Sequence, residues 1–201
     1  MLNRKSLAGS SMNRHAVVAA VIALSSLSSP SSSTQAAPND NCQMQISNTV
    51  IDYGEVTRAE LLGRQVSPTA FALGKQTMTL SVNCRQPSLM TIYFRGAAGD
   101  GNGYRFGNAG NFVLNLSLAQ LDGKRVKLGN VKVTGQQPDN MMETALLSPG
   151  VGIVPVQDER TLKGASFSVQ VEINTSVSGT ASRVADRTTW RSSGSFELVE
   201  N

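Results

Sequence analysis

Phe167-Ser-Val-Gln-Val-Glu-Ile-Asn174 carries a large apolar side chain at every second position and a polar one between. A strand sends successive side chains to opposite faces, so this stretch reads as a strand with one face on a core and one in water. The period recurs along the chain. Met78, Leu80 and Val82 alternate with Thr77, Thr79 and Ser81; Met90, Ile92 and Phe94 with Thr91 and Tyr93. Phe112, Leu114, Leu116 and Leu118 alternate with Val113, Asn115 and Ser117; Phe196 and Leu198 with Ser195, Glu197 and Val199. Asp122-Gly123, between two apolar runs, predicts a tight hairpin turn. Asn83-Cys84-Arg85-Gln86-Pro87 is expected to end one strand before the next begins, and residues 96–110 read as a Gly- and Asn-rich connection. Only residues 56–62 and 140–147 could hold a helical turn or two. The expectation is a single all-β domain, a β-sandwich, from about residue 40 to 201.

The composition supports a packed core. Of 201 residues, 40% are hydrophobic and 16% charged, too apolar for a disordered chain. The formal charge of +4 sits mostly at one end, because Arg4, Lys5 and Arg14 all precede the first acidic residue, Asp40. It therefore implies no nucleic-acid partner. Residues 1–15 are basic and polar, Ala16-Val-Val-Ala-Ala-Val-Ile-Ala-Leu24 is apolar, and a Ser-rich stretch leads to Thr34-Gln-Ala36. That order predicts a secretory signal peptide, residues 1–36, cleaved to leave residues 37–201. The apolar run is about half of the ~20 residues a membrane span needs. An uncleaved anchor and an earlier cut near Ser25 are the rival readings. No later segment approaches transmembrane length, so the mature chain is expected to be exported without a membrane span.

Export limits the chemistry. The single His is His15, inside the leader. Without an imidazole, Ser-His-Asp and Cys-His catalysis and ordinary zinc sites are excluded from the mature chain. Gly99-Asp-Gly-Asn-Gly103 superficially matches phosphate- or calcium-binding loops, but no helix follows it and Asn111 stands where a calcium loop has its last carboxylate. Asp158-Glu159 and Asp52 with Glu55 are read as solvated turns. Arg183, Arg187 and Arg191 with Trp190 are interleaved with Asp186 and read as a solvated loop. No catalytic, cofactor-binding or metal-ligating residue is expected, and the chain is read as a non-enzyme. The two Cys, Cys42 and Cys84, read as one disulfide in an oxidising compartment, with a pair of free buried thiols as the rival. A bridge closing a loop of this length contributes roughly 4 kcal/mol on the chain-entropy account.

Cys42-Gln-Met-Gln-Ile-Ser-Asn48, Ile51-Asp-Tyr-Gly-Glu55, Leu73-Gly-Lys-Gln76 and Thr79-Leu-Ser-Val-Asn-Cys84, in that order, resemble the first half of a chaperone–usher fimbrial (pilin-like) subunit. Phe106-Gly107 and Gly110-Asn-Phe112 sit where such subunits turn into their middle strands. Asp186-Arg-Thr-Thr-Trp-Arg-Ser-Ser-Gly-Ser-Phe-Glu-Leu-Val199 is similar to a fimbria-like branch known only as a domain of unknown function. The resemblance implies an incomplete immunoglobulin-like sandwich, with an open apolar groove beside the C-terminal strand. It implies that Phe196 and Leu198 face the groove and that Val171 and Ile173 line it. It further implies a periplasmic fimbrial chaperone, an outer-membrane usher and a neighbouring subunit as partners, and passage through the periplasm to the cell surface. The chain departs from the family at Glu200, where a penultimate Tyr is common, and in having Gly194 as its near C-terminal Gly.

Two function classes follow. One is a structural or adhesive subunit assembled by β-strand addition. The other is a stand-alone exported sandwich that binds carbohydrate or protein. Residues 26–41 offer Leu27 as their sole sizeable apolar side chain and include Pro30 and Pro38, which cannot donate to a ladder. A donor strand is therefore not expected there, and a tip position is. Alkylation of the exported, non-reduced protein should label neither Cys42 nor Cys84; two labels per chain would show free thiols.

Overall fold

The computed structural model describes residues 41–179 and 189–201, all within one compact unit, Asn39–Asn201. In chain order it forms β1 (Cys42–Ile46), α1 (Arg58–Leu62), β2 (Gln65–Ser67), β3 (Ala70–Gly96), β4 (Tyr104–Phe106) and β5 (Gly110–Leu121). There follow β6 (Lys124–Arg125), β7 (Lys127–Val131), β8 (Ala145–Leu146), β9 (Gly152–Gln157), β10 (Arg160–Thr161), β11 (Lys163–Ser178) and β12 (Gly194–Glu200). The leader reading, His15, Arg183, Asp186 and Arg187 lie outside the described residues.

Every strand pairing is antiparallel. The first sheet centres on β11, which lies between β3 and β5; β1 and β2 add to β3, and β4, β6 and β8 to β5. The second sheet places β12 and β9 on the last part of β3, with β7 and β10 on β9. Leu80, Val82, Leu116 and Val171 from the first sheet and Met90, Ile92, Leu128 and Ile153 from the second form one buried cluster. The all-β sandwich is thus confirmed.

Two of the alternating runs, expected as separate strands, are halves of β3. Up to Asn83 it pairs with β11 from Ser166 on; Ser88 and Leu89 then meet Gly164 and Lys163. Residues 84–87 therefore face a single residue of β11, a wide bulge that turns the strand into the second sheet. Pro87 sits inside that bulge, where no ladder donor is required. The side chain of Asn41 holds the corner: its Nδ2 donates to Gln86 O at 2.9 Å and to Ser88 Oγ at 2.7 Å, and its Oδ1 accepts from Gln86 N at 2.9 Å.

A second bulge changes the reading of β5. Leu118 was expected to face inward after Leu116, yet it has φ 53° and is 49% exposed. Ser117 and Gln120 pair with Gln170 and Ser168, so Leu118 and Ala119 together oppose Val169. The extra residue moves the inward positions to Ala119 and Leu121, both buried. The predicted turn at Asp122-Gly123 is present, with φ 49° and 76°, the left-handed pair of a type I′ hairpin.

Among the described residues, helix is confined to α1. Thr57 caps it: its Oγ1 accepts from Glu60 N at 3.3 Å while Glu60 Oε2 accepts from Thr57 N at 2.7 Å. The Thr57 N–H and the Thr57 hydroxyl, which donates at 2.8 Å, both bond Glu60 Oε2 and hold the carboxyl below its usual value. Leu61 drops from the helix into a small cluster with Phe71, Leu73 and Val177. Residues 140–147 form no helix; Met142 bridges Leu128, and β8 pairs with β5. The bulge gives a direct contrast. Leu116→Ala should lower stability by about 2–5 kcal/mol in urea denaturation, whereas Leu118→Ser should cost under about 0.5 kcal/mol. Equal losses would mean that both leucines are buried.

Candidate functional site

The strands at the two ends of the described domain each use only one edge. Among the described residues, β1 pairs with β3 and no other strand, and so does β12. β12 is bonded along its whole length, from Gly194 opposite Gly96 to Glu200 opposite Met90, and Asn201 and Leu89 exchange two further backbone hydrogen bonds of 2.9 and 3.0 Å. Cys42 lies directly opposite Cys84, and the two are joined by a disulfide.

The two free edges face each other across a cavity of about 450 Å³. One wall is the chain leaving β1, with Ile46, Asn48, Thr49, Ile51 and Tyr53; the other is the entry to β12, residues 192–196. The floor is core: Met78 from β3, Phe112 and Leu114 from β5, and Ile173 and Thr175 from β11, with Phe94 and Phe106 beside them. Alternation explains the placement. Phe196 sits opposite Phe94 in the ladder, so both rings point inward from neighbouring strands. Phe94 meets Phe196, Tyr104 and Phe112 edge to face at centroid separations of 5.0, 4.8 and 5.9 Å. Serines 192, 193 and 195 with Asn48 and Thr49 give the opening a polar rim.

Of the four assembly residues expected from the sequence, Ile173 and Phe196 line the cavity. Val171, fully buried, is part of the core beneath it, and Leu198, half-buried opposite Ile92, packs on that core rather than on the cavity. The aromatic lining adds Tyr53, Phe94, Phe106 and Phe112 to the expected residues; its signal in the sequence is the alternating runs that hold Phe94 and Phe112 and the polar residue between Ile51 and Tyr53. Tyr53 joins two of the segments that carry the resemblance. Its ring lies over Gly74, where a Cβ would stand 3.5 Å from Tyr53 Cδ1, and its hydroxyl is 2.8 Å from Thr175 Oγ1.

The groove closes at the far end. Asn41 N–H donates to Glu200 Oε1 at 3.2 Å, tying the start of β1 to the end of β12. Glu200 thus spans the two walls, while its Oε2 is buried without a partner among the described residues. The other polar groups noted in the sequence lie elsewhere. Residues 99–103 wrap Asn111, whose side chain touches both Gly99 and Gly103. Asp52 Oδ1 accepts from Gly54 N at 2.8 Å, a local turn. Asp158-Glu159 is the β9–β10 turn, and Trp190 packs on Gly107.

No family model matches the chain, and no curated protein matches it. Among solved structures, the crystal structure of the P pilus rod subunit PapA is similar to it, with a TM-score of 0.40 and 13% identity, covering 80% of this chain and 99% of that one.

Burial governs the ionisation of two tyrosines, Tyr53 in the lining and Tyr104 packed behind it on Phe94 and Phe112. It pushes the Tyr104 phenol up to about 12 against a lowering pull from Arg95, and it raises Tyr53 against the hydrogen bond from Thr175. Both hold their protons more tightly folded than unfolded. Stability is therefore full below the ordinary phenol value of 10.0 and falls as pH rises from there toward about 12. The thermal midpoint should stay level between neutrality and pH 10 on this account and drop above it, and Tyr104→Phe should flatten that drop.

Proposed function

We propose that the groove accepts a β-strand from another chain, and that this protein is a non-enzymatic structural or adhesive subunit of a chaperone–usher surface fimbria. The observation that carries the proposal is the pair of free strand edges, β1 and β12, on either side of a cavity floored by the core. A strand laid between them would satisfy unpaired backbone groups on both sides and place alternate side chains on Phe94, Phe112, Ile173 and Phe196. An empty groove of this kind is an exposed edge and an association hazard. On this reading a periplasmic chaperone fills it first, an outer-membrane usher passes the subunit on, and a neighbouring subunit supplies the lasting strand at the cell surface. Residues 1–36 serve as the cleaved leader, and residues 37–201 are the assembled domain. A tip position is the finer part of the proposal, resting on the poverty of large apolar side chains in residues 26–41.

Periplasmic expression with a tagged fimbrial chaperone tests it. The wild-type chain should be recovered in a one-to-one complex, and Phe196→Asp, which places a charge in the groove wall, should abolish recovery and lower periplasmic abundance. Thr91→Ser, on the opposite face of the second sheet, should leave capture intact. A soluble monomer of the wild-type chain that ignores the chaperone would overturn the proposal. Immunogold label along the shaft, rather than at tips, would overturn the tip position alone.

A further inference from the structure

The outer face of the second sheet bears a second cavity. Thr91 and Tyr93 point away from the core yet are only 2% and 6% exposed. They are covered because Gly152 of β9 leaves room for them and because the connection after β7 folds back over the sheet, with Tyr93 Oη 3.2 Å from Thr134 Oγ1. Val131, Val154 and Val156 form a separate small core there, with Met141 on top. Between this connection and the β9–β10 turn lies a cavity of about 510 Å³, within the range of about 300–1,000 Å³ for small-molecule sites.

Its lining has a distinct chemistry. Leu89, Val154 and Pro138 supply apolar surface. Around them stand two carboxamides, Gln136 and Gln137, the hydroxyls of Thr91 and Thr161, two carboxylates, Asp158 and Glu159, and the Arg160 guanidinium. The backbone nearby is already engaged: Leu89 pairs with Asn201, Leu162 N with Pro155 O, and Glu159 N with Met141 Sδ. The five side chains of Gln136, Gln137, Asp158, Glu159 and Arg160 are not engaged; among the described residues none of them makes a hydrogen bond or ion pair. Donors and acceptors of both kinds thus border one hollow beside apolar surface, with two negative charges against one positive.

We infer that this cavity is a binding site for a neutral sugar, one or two pyranose rings bearing adjacent hydroxyls. Each sugar hydroxyl both donates and accepts, which suits a wall of carboxylates, carboxamides and guanidinium. The C–H face of a pyranose suits the surface of Leu89, Val154 and Pro138. The excess of carboxylate selects against acidic sugars. The inference is independent of what fills the groove, because the two cavities lie on opposite faces of the second sheet.

The disulfide-bonded exported chain, labelled with nitrogen-15, is titrated with methyl α-glucoside, methyl β-galactoside, methyl α-mannoside and N-acetylglucosamine. N-acetylneuraminic acid serves as the anionic control. At least one neutral sugar should shift the amide signals of residues 136–137 and 158–161 with a dissociation constant of about 1 mM. The double variant Asp158→Asn, Glu159→Gln should weaken that binding about tenfold through loss of charge-assisted hydrogen bonds. Asn tolerates the positive φ of 50° at position 158, so the turn survives. Gln136→Ala with Gln137→Ala, on the facing wall, should weaken it as well. The inference is overturned if no neutral sugar shifts those signals at about 50 mM, if neither double variant weakens binding, or if N-acetylneuraminic acid binds there more tightly.

Discussion

The corner at residues 84–88 fixes where the other strands can go. One strand, β3, serves both sheets, and the angle at which it crosses between them is set by four residues facing one on β11. β1 hangs on the half before the corner and β12 on the half after it. Neither can slide to cover the other's free edge without leaving its own ladder. The gap between them is therefore a product of the corner, and the groove is as rigid as the bonds that hold the bend. Those bonds are the Asn41 side chain on Gln86 and Ser88 and the disulfide at Cys84. Pro87 adds stiffness by fixing its own φ and restricting that of Gln86.

Much of this was legible in the residues, for local reasons. Period-two alternation is a property of the strand itself, so β5, β11, β12 and the two halves of β3 could be read from one sequence. Asp122-Gly123 announces its turn because few residue pairs accept two positive φ values. What failed to show were features decided by pairing partners. Leu118 continues a faultless alternation, and only the register against Val169 reveals that it faces out. Asn83 to Pro87 looks like an end because Pro87 cannot donate; that the chain stays extended there and changes sheets depends on pairing with β11 and β12, both far along the chain.

The candidate site divides in the same way. Phe196 and Ile173, which the resemblance put at the groove, both point inward, one from the β12 wall and one from the β11 floor. Leu198 and Val171 have the same alternation yet sit where the sandwich is filled, so depth along the groove, not face, separates the pairs. Tyr53 and Ile51 belong to a segment without regular structure, where no period advertises a buried side chain. Glu200 was visible only as a departure from a pattern. Its contact with Asn41 N–H depends on the two ends of the domain meeting in space, which no short stretch of sequence encodes.

Trp190 is the sole tryptophan of the chain, and its place gives the molecule an optical property. The indole lies against Gly107, whose φ of 59° and missing side chain let it settle with Cδ1 3.0 Å from where a Cβ would be. Phe106, the neighbour of that glycine, belongs both to the cluster that holds Trp190 and to the groove lining. Excitation of the indole thus reports on one spot, one residue removed from the groove wall. Its emission colour and its accessibility to small quenchers read the packing at the groove mouth directly, without an added dye and without interference from a second indole.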